Sequence, residues 1–181
     1  MGQGWSSVSV CGARLLTMGN VNDQDVVYAL NVADGKEIWR HSYSCKAGNY
    51  SGPRTTPATD GKVVYTLSRD GDLFCLNIED GKVIWQKNVL TDCGGENITW
   101  GIAGSPVIHG DMLLVNTGES GAALDRKTGA KIWASSGKGG YSTPVVFKNG
   151  ARECVALFSC KGLCVVEVKT GRKLAFSNWE T

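Results

Sequence analysis

The side chains in this sequence that could perform acid–base chemistry or hold a cation are carboxylates at close spacing. Three pairs occur, namely Asp23 with Asp25, Asp70 with Asp72, and Glu79 with Asp80. Two neighbouring carboxylates suit general acid–base catalysis or an oxygen-ligated calcium ion. Each pair lies in or beside a predicted hairpin turn, where Asp is favoured because its side chain accepts backbone N–H hydrogen bonds. We interpret all three pairs as turn residues and predict no catalytic residue.

The most oxygen-rich segment is Asn-Val-Asn-Asp-Gln-Asp at residues 20–25. It lacks the regular ligand spacing of a calcium loop, so we predict no metal there. Cysteine is the other reactive side chain, at Cys11, Cys45, Cys75, Cys93, Cys154, Cys160 and Cys164. The number is odd and no Cys-x-x-Cys pair occurs, which argues against both a disulfide framework and a zinc site. A bridge between Cys45 and Cys93, which both follow a tryptophan-bearing strand, remains open at this point.

Charge and hydropathy exclude several classes of function. The 19 basic and 17 acidic residues give a formal net charge of +2 without a long run of one sign. Such a charge distribution provides no basic patch of the kind that binds nucleic acid or an anionic membrane. We see neither a transmembrane segment nor a signal peptide, and the sequence itself leaves the compartment open.

The elements that must position these side chains come from one unit that occurs four times. The copies are at residues 27–39, 72–85, 121–133 and 163–176. Each copy has alternating apolar residues, a turn with Asp-Gly or Thr-Gly, and a second short run that ends in a large aromatic residue. The turn glycines are Gly35, Gly81, Gly129 and Gly171, and the aromatic residues are Trp39, Trp85, Trp133 and Phe176.

Successive turn glycines are 46, 48 and 42 residues apart. A strand-only repeat of this length is typical of β-propeller blades. We predict one all-β domain over residues 1–181, a β-propeller of four-stranded antiparallel blades with essentially no helix. The four blades are expected at residues 5–43, 52–89, 100–136 and 140–178, with polar loops at 44–51 and 90–98. The tryptophans belong to the last strand of each copy, where a large ring fills the wedge between neighbouring blades.

The openings of the four copies suggest a binding site. Aligning the openings on Ser7, Thr56, Ser105 and Thr143 places four residues two positions earlier at one height, namely Trp5, Arg54, Ala103 and Tyr141. Trp100 is expected to replace the aromatic ring that Ala103 lacks. Because first strands line the channel of a propeller, these side chains should converge at one axial mouth. Aromatic rings around a guanidinium suit an anionic or planar ligand, or a partner peptide. Alternatively, Trp5 and Tyr141 plug the channel and Arg54 pairs with a nearby carboxylate.

The four copies share a pattern: Ala, Cys or Val, then one residue, Asn, Asp or Glu, three residues, Gly, and Trp four positions later. This pattern resembles the tryptophan-docking repeat of pyrroloquinoline-quinone-like (PQQ-like) β-propellers, over nearly the whole chain. The residues that carry the resemblance are Gly35, Trp39, Gly81, Trp85, Gly129 and Trp133. The last copy departs from it, because Ala175 occupies the tryptophan position.

The resemblance implies a larger assembly and two alternative functions. Rings of this superfamily usually have seven or eight blades, so four blades would be half a ring, completed by a homodimer or by a longer chain. Members include BamB-type outer-membrane assembly lipoproteins, which implies a periplasmic or other extracytoplasmic location. They also include quinoprotein alcohol dehydrogenases, which carry PQQ and calcium.

These dehydrogenases typically hold the quinone under a disulfide between adjacent cysteines and beside a calcium ion bound by Glu, Asn and Asp. This chain has no adjacent cysteines. We therefore predict a non-catalytic binding or scaffold module without a cofactor, which binds a protein or a small ligand at the axial mouth. The alternative is a fragment of a PQQ-dependent dehydrogenase.

Overall fold

Four four-stranded sheets form most of the protein, and each is built from strands that are consecutive in the chain. The structure is a computed structural model that describes residues 1–179. We name the sheets blades 1 to 4. Blade 1 contains β1–β4, at Ser9–Cys11, Arg14–Val21, Gln24–Asn31 and Glu37–Ser44. Blade 2 contains β5–β8, at Ala58–Thr59, Val63–Leu67, Asp72–Asn77 and Val83–Asn88. Blade 3 contains β10–β13, at Val107–His109, Met112–Val115, Ala122–Asp125 and Lys131–Ala134. Blade 4 contains β15–β18, at Val145–Asn149, Arg152–Ser159, Gly162–Glu167 and Lys173–Asn178. All pairings within the blades are antiparallel, which confirms the predicted sheet type.

The connector between blades 2 and 3 is more ordered than the predicted loop at 90–98. It contains a five-residue helix, α1, at Val89–Cys93. The side chain of Asn88 accepts hydrogen bonds from the first turn, and Gly94 ends the helix with a φ of 77°, so both ends are capped. The strands β9 (Gly95–Glu96) and β14 (Gly137–Lys138) then form a short parallel ladder that ties this connector to the one after blade 3. No helix within residues 1–179 is long and apolar enough to cross a membrane.

The last strands continue beyond their aromatic residues, so the prediction that each strand ends there is wrong. β4 extends past Trp39 to Ser44, and β8 extends past Trp85 to Asn88. The extra residues pair with the first residues of the third strand, as Ser44 does with Gln24 and Asn88 does with Asp72.

The turn between the third and fourth strands has the same geometry in every blade. The four turn glycines have φ angles between 69° and 71°, a left-handed conformation that glycine adopts without steric cost. Each glycine N–H donates to the carbonyl four residues earlier, as Gly35 does to Asn31 at 2.8 Å and Gly129 does to Asp125 at 2.8 Å. The turn therefore fixes where the last strand begins relative to the third.

The tryptophans connect consecutive blades. The indole nitrogen Nε1 of Trp39 donates to the carbonyl of Ile78 at 2.8 Å, that of Trp85 to Arg126 at 3.1 Å, and that of Trp133 to Val168 at 2.7 Å. Each acceptor lies in the next blade, one residue after its third strand or at the start of its turn. The core consists of three apolar clusters, and each cluster combines side chains of two consecutive blades. Blade-to-blade packing, centred on these rings, therefore forms the hydrophobic core.

Each of these rings also lies over the turn glycine of the next blade. A Cβ atom added at Gly81 would meet the Trp39 ring at 2.6 Å, and one at Gly129 would meet the Trp85 ring at 2.9 Å. A Cβ atom at Gly35 would meet nothing within 4 Å. Glycine is thus required at positions 81 and 129 for two reasons: its φ angle, and the tryptophan ring that occupies the space of a Cβ atom.

A small polar cluster lies buried beneath the loops of blade 1. Asp25 is fully buried, and its Oδ1 accepts a hydrogen bond from Asn20 Nδ2 at 2.8 Å. Its Oδ2 has no hydrogen-bond partner within the described residues. Burial raises the pKa of Asp25, and the hydrogen bond from Asn20 opposes that rise only in part. The oxygen-rich segment at 20–25 therefore forms a hairpin turn and this buried pair.

A matched pair of substitutions separates the two roles of the turn glycines. Gly81→Ala and Gly35→Ala impose the same backbone strain, because the φ angles are 70° and 69°. Only Gly81→Ala also pushes a methyl group into a tryptophan ring. We expect the free energy of unfolding, from urea denaturation, to fall by about 1–3 kcal/mol more for Gly81→Ala than for Gly35→Ala. Equal losses in the two variants would contradict the packing role of the ring.

Asp25→Asn tests the buried carboxyl group. Because the folded-state pKa of Asp25 is raised, the folded protein holds this proton more tightly than the unfolded chain does. Stability is therefore greatest below the unfolded-state pKa and falls as pH rises through the window up to the folded-state pKa. We expect Asp25→Asn to raise the free energy of unfolding at pH 7 and to remove this part of the pH dependence. Denaturant titrations from pH 4 to pH 7 measure both effects, with exposed Asp111→Asn as the control. An unchanged pH slope in Asp25→Asn would refute the assignment.

Candidate functional site

The openings of neighbouring blades lie side by side. The backbone N–H of Thr56 donates to Ser105 Oγ at 2.8 Å, and the N–H of Ser105 donates to Thr143 Oγ1 at 3.0 Å. These are residues that the sequence alignment set in register, and they now bridge blades 2, 3 and 4. The first strand of blade 2 also lies close to the first strands of blades 1 and 3. Residues just before these positions are therefore held near one another by the backbone.

Arg54 is the charged residue at this level. Its guanidinium donates through Nη1 to the carbonyl of Trp100 and through Nη2 to the carbonyl of Tyr50 at 3.0 Å. Two backbone carbonyls from different connectors thus fix the direction of the side chain. Among residues 1–179 these are the hydrogen bonds of its side chain, so some of the five guanidinium N–H donors have no protein partner there.

Three aromatic residues are linked to Arg54 through these backbone contacts and through one another. The rings of Tyr50 and Trp100 meet edge to face with centroids 5.0 Å apart, an arrangement that aromatic quadrupoles favour. The backbone N–H of Trp100 donates to the hydroxyl oxygen of Tyr141 at 3.4 Å. The exposed fractions of Tyr50, Trp100 and Tyr141 are 63%, 42% and 44%. We call Arg54 and these three residues the Arg54 cluster.

The structure thus brings together three of the four predicted site residues, Arg54, Trp100 and Tyr141. Trp5 lies nearby through its backbone, because its N–H donates to the carbonyl of Pro53 at 2.8 Å. Its side chain is 66% exposed and makes no aromatic or cation–π contact within the described residues. Trp5 therefore lies beside the cluster, with an exposed ring.

Sequence reasoning missed Tyr50. This residue lies in the connector before blade 2 and has a positive φ of 58°, which is uncommon for a residue with a large side chain. A signal was present, because Tyr50 precedes Gly52 at the second opening much as Trp100 precedes Gly101 at the third. The aromatic residues before the openings, and not only those inside them, form the site.

The electrostatic setting of Arg54 favours an anion. Among residues 1–179, no carboxylate oxygen lies within ion-pair distance of its guanidinium, so the predicted alternative of a carboxylate pair is not found there. Burial lowers the pKa of Arg54, and the charge of Arg69 lowers it further, yet a guanidinium stays protonated in proteins. Arg69 itself donates to the carbonyl of Ala47 at 2.7 Å and lies 3.7 Å from Asp70. The cluster therefore combines a fixed positive charge with exposed aromatic faces.

The carboxylate pairs have structural partners instead. Asp72 accepts hydrogen bonds from Ser68 and Asn88 in the turn of blade 2. Glu79 pairs with Arg14 of blade 1, and Asp80 pairs with Lys82 at 2.8 Å. These contacts hold the hairpins in position.

Metal-ligating side chains and thiols are dispersed over the described part of the chain. Within the described range, no three His, Cys, Asp or Glu side chains come together to form a metal-ligand set. All seven cysteines are free thiols, including Cys45 and Cys93, and six of them are at least partly buried. Burial raises the pKa of Cys75 to about 11, which keeps this thiol protonated and unreactive at neutral pH.

Several solved structures share the fold. BamB from Moraxella catarrhalis is 18% identical, with a TM-score of 0.74 over 98% of this chain and 54% of that one. A quinohemoprotein alcohol dehydrogenase from Comamonas testosteroni is 15% identical, with a TM-score of 0.74 over 98% of this chain and 35% of that one. The computationally designed protein Ika4 is 14% identical, with a TM-score of 0.59 over 93% of this chain and 99% of that one. This chain thus spans about half of BamB and about a third of the dehydrogenase, and the likeness concerns the fold alone.

None of the curated proteins compared with this sequence matches it. The sequence profile of the family described as "Outer membrane protein assembly factor BamB" matches residues 22–178, which include the last two strands of blade 1 and all of blades 2 to 4. The all-β propeller architecture inferred from the repeat is thereby confirmed. The chain belongs to this BamB-type family of PQQ-like propellers.

Proposed function

We propose that this chain is a non-catalytic binding module that holds an acidic segment of a protein partner at the Arg54 cluster. The observation that carries the proposal is the arrangement of Arg54. Its guanidinium is oriented by the backbone carbonyls of Trp100 and Tyr50, lacks a carboxylate partner among residues 1–179, and belongs to a cluster with three exposed aromatic residues. An oriented but unpaired guanidinium is suited to bind a carboxylate through two parallel hydrogen bonds.

The aromatic residues determine which anions fit. Trp100 and Tyr141 offer flat apolar faces next to the charge, and Tyr50 supports the ring of Trp100 from the side. Tryptophan, tyrosine and arginine are the residues that dominate binding energy at protein interfaces. An Asp or Glu side chain beside an aromatic or aliphatic residue of an extended peptide would use both parts of the cluster.

A protein partner agrees with the family. The matching family is described as an outer membrane assembly factor, and assembly requires contact with other proteins. We accordingly place the chain outside the cytoplasm, at or near an outer membrane, where its partner would present the acidic segment. Blade packing supplies the rigid support, and the loops between blades supply the contacts.

A peptide array probed with the labelled protein tests this function. We expect enrichment of peptides in which Asp or Glu neighbours an aromatic residue. Arg54→Gln should weaken binding to these peptides by about tenfold or more, since a charge-assisted hydrogen bond contributes roughly 1.5–3 kcal/mol. Binding by the wild-type chain should also weaken as the salt concentration rises.

Arg172→Gln is the matched control. The Arg172 side chain is 62% exposed, lies near Glu167 in blade 4, and is distant in the sequence from the residues of the Arg54 cluster. The control should bind the array as the wild type does. Equal loss in both variants would indicate a nonspecific charge effect, and no loss in Arg54→Gln would eliminate the proposed site.

A further inference from the structure

The contact between blades 2 and 3 differs from the other blade contacts at one position. The residue after the third strand is apolar and buried in blades 2 and 4, where it is Ile78 at 3% exposure and Val168 at 1%. Each of these side chains belongs to the apolar cluster shared with the preceding blade. The residue at this position of blade 3 is Arg126. A cation therefore lies where the repeat otherwise places an apolar side chain.

Blade 2 differs from blade 1 at the two positions that pack near Arg126. Tyr65 and Cys75 are paired across the strands of blade 2 as Leu16 and Ala29 are in blade 1. The hydroxyl group of Tyr65 donates to the carbonyl of Arg126 at 2.8 Å. The backbone of Arg126 is therefore held by a polar group that leucine lacks.

An open cavity of about 310 Å³ lies beside these residues. This volume is at the lower end of the range for small-molecule sites. The apolar part of its wall is formed by Val63, Tyr65, Cys75 and Ile84. Tyr65 and Cys75 are members of the apolar cluster between blades 2 and 3, so the wall on this side is continuous with the hydrophobic core.

The charged residues that line the cavity are mostly cationic. They are Lys62, Arg126 and Lys127, together with one carboxylate, Asp60. Asp60 pairs with Nη1 of Arg126 at 2.5 Å, and Lys127 lies 3.4 Å from Asp111 outside the cavity lining. Lys62 makes no ion pair within residues 1–179. An excess of positive charge thus lies next to an apolar wall.

The guanidinium of Arg126 is only partly used by the protein. Its Nη1 donates to Asp60, whereas Nη2 makes no hydrogen bond within residues 1–179. The Arg126 side chain is 23% exposed, so it is neither sealed in the core nor free in solvent. A partly desolvated cation of this kind binds an anion more strongly than a fully exposed one does.

We propose that this cavity binds a small amphipathic carboxylate, of the class of medium-chain fatty acids. The carboxylate would pair with Lys62 and with Nη2 of Arg126, and the alkyl chain would lie against Val63 and Ile84. The positive charge selects an anion over a neutral molecule, and the volume limits the ligand to one short chain. The site shares no residue with the Arg54 cluster and does not depend on the function proposed for that cluster.

Octanoate is the probe for the wild-type chain. It is titrated into the isotopically labelled protein, and amide and methyl chemical shifts are followed by NMR. We expect saturable shifts at Ile84 and Cys75 and none at Ile132, which precedes Trp133 in blade 3 as Ile84 precedes Trp85 in blade 2.

Two further compounds test the two halves of the ligand. Octanamide has the same chain without the charge, and acetate has the charge without the chain. Each should bind about tenfold more weakly than octanoate, or worse, because each loses one class of contact. The absence of a saturable shift at Ile84, or equal binding of either compound and octanoate, would overturn the proposal.

Lys62→Gln tests the positive charge, with Lys36→Gln as its matched control. Lys36 is 82% exposed and lies in a turn of blade 1. We expect Lys62→Gln to raise the dissociation constant of octanoate by about fivefold, the scale of one partly exposed charge pair, and Lys36→Gln to leave it unchanged. Equal effects of the two substitutions would contradict the assignment.

Ile84→Glu tests the apolar wall, with Ile132→Glu as its matched control. Both side chains are exposed, at 52% and 44%, so either change should be compatible with folding. Ile84→Glu should weaken octanoate binding, followed at the Cys75 amide, by about tenfold or more, because it removes apolar contact and adds like charge. Unchanged binding in Ile84→Glu would refute the site. If circular dichroism shows that this variant is unfolded, Lys62→Gln and the octanamide comparison decide.

Discussion

The contact between a tryptophan ring and the turn glycine of the next blade is the constraint on which the rest of this structure depends. It occurs three times with nearly the same geometry, from Trp39 to Gly81, from Trp85 to Gly129 and from Trp133 to Gly171. Each ring removes a large apolar area from water, and its N–H satisfies a backbone carbonyl that the turn leaves without a strand partner. The spacing between blades is consequently set at one level by both packing and hydrogen bonding.

A second row of contacts works at the opposite end of the repeat, where each blade begins. The hydrogen bonds from Thr56 to Ser105 and from Ser105 to Thr143 join successive openings. With the blades fixed at both ends, the connectors between them are free to carry side chains that do not contribute to the core. The Arg54 cluster is built from such connectors, and the short parallel ladder between β9 and β14 holds two of them together. This separation explains how a propeller keeps its fold while its loops acquire binding functions.

The buried polar groups of blade 1 belong to the part of the structure that maintains the fold. Asp25, Asn20 and Cys45 lie beneath the loops of blade 1 and share hydrogen bonds that secure the connector after β4. They do not face a cavity with a reactive partner. They therefore affect stability and its pH dependence, whereas the half-buried Arg54 belongs to the proposed binding site.

The sequence by itself determined the blade architecture. A left-handed turn requires glycine, and a strand shows alternating apolar residues; both are local features, and the repeat displays them four times. It also determined which tryptophans matter, since Trp39, Trp85 and Trp133 recur at a constant distance from that glycine. Only the tertiary structure decided where the rings and openings lie relative to each other. Tyr50 contacts Arg54 from a position with a positive φ that the repeat did not predict, and Trp5 lies beside the cluster through its backbone contact with Pro53. The sequence could not show that Gly35 lacks the tryptophan ring that covers the other three turn glycines. Its turn has the same residue pattern, and the covering ring comes from another blade.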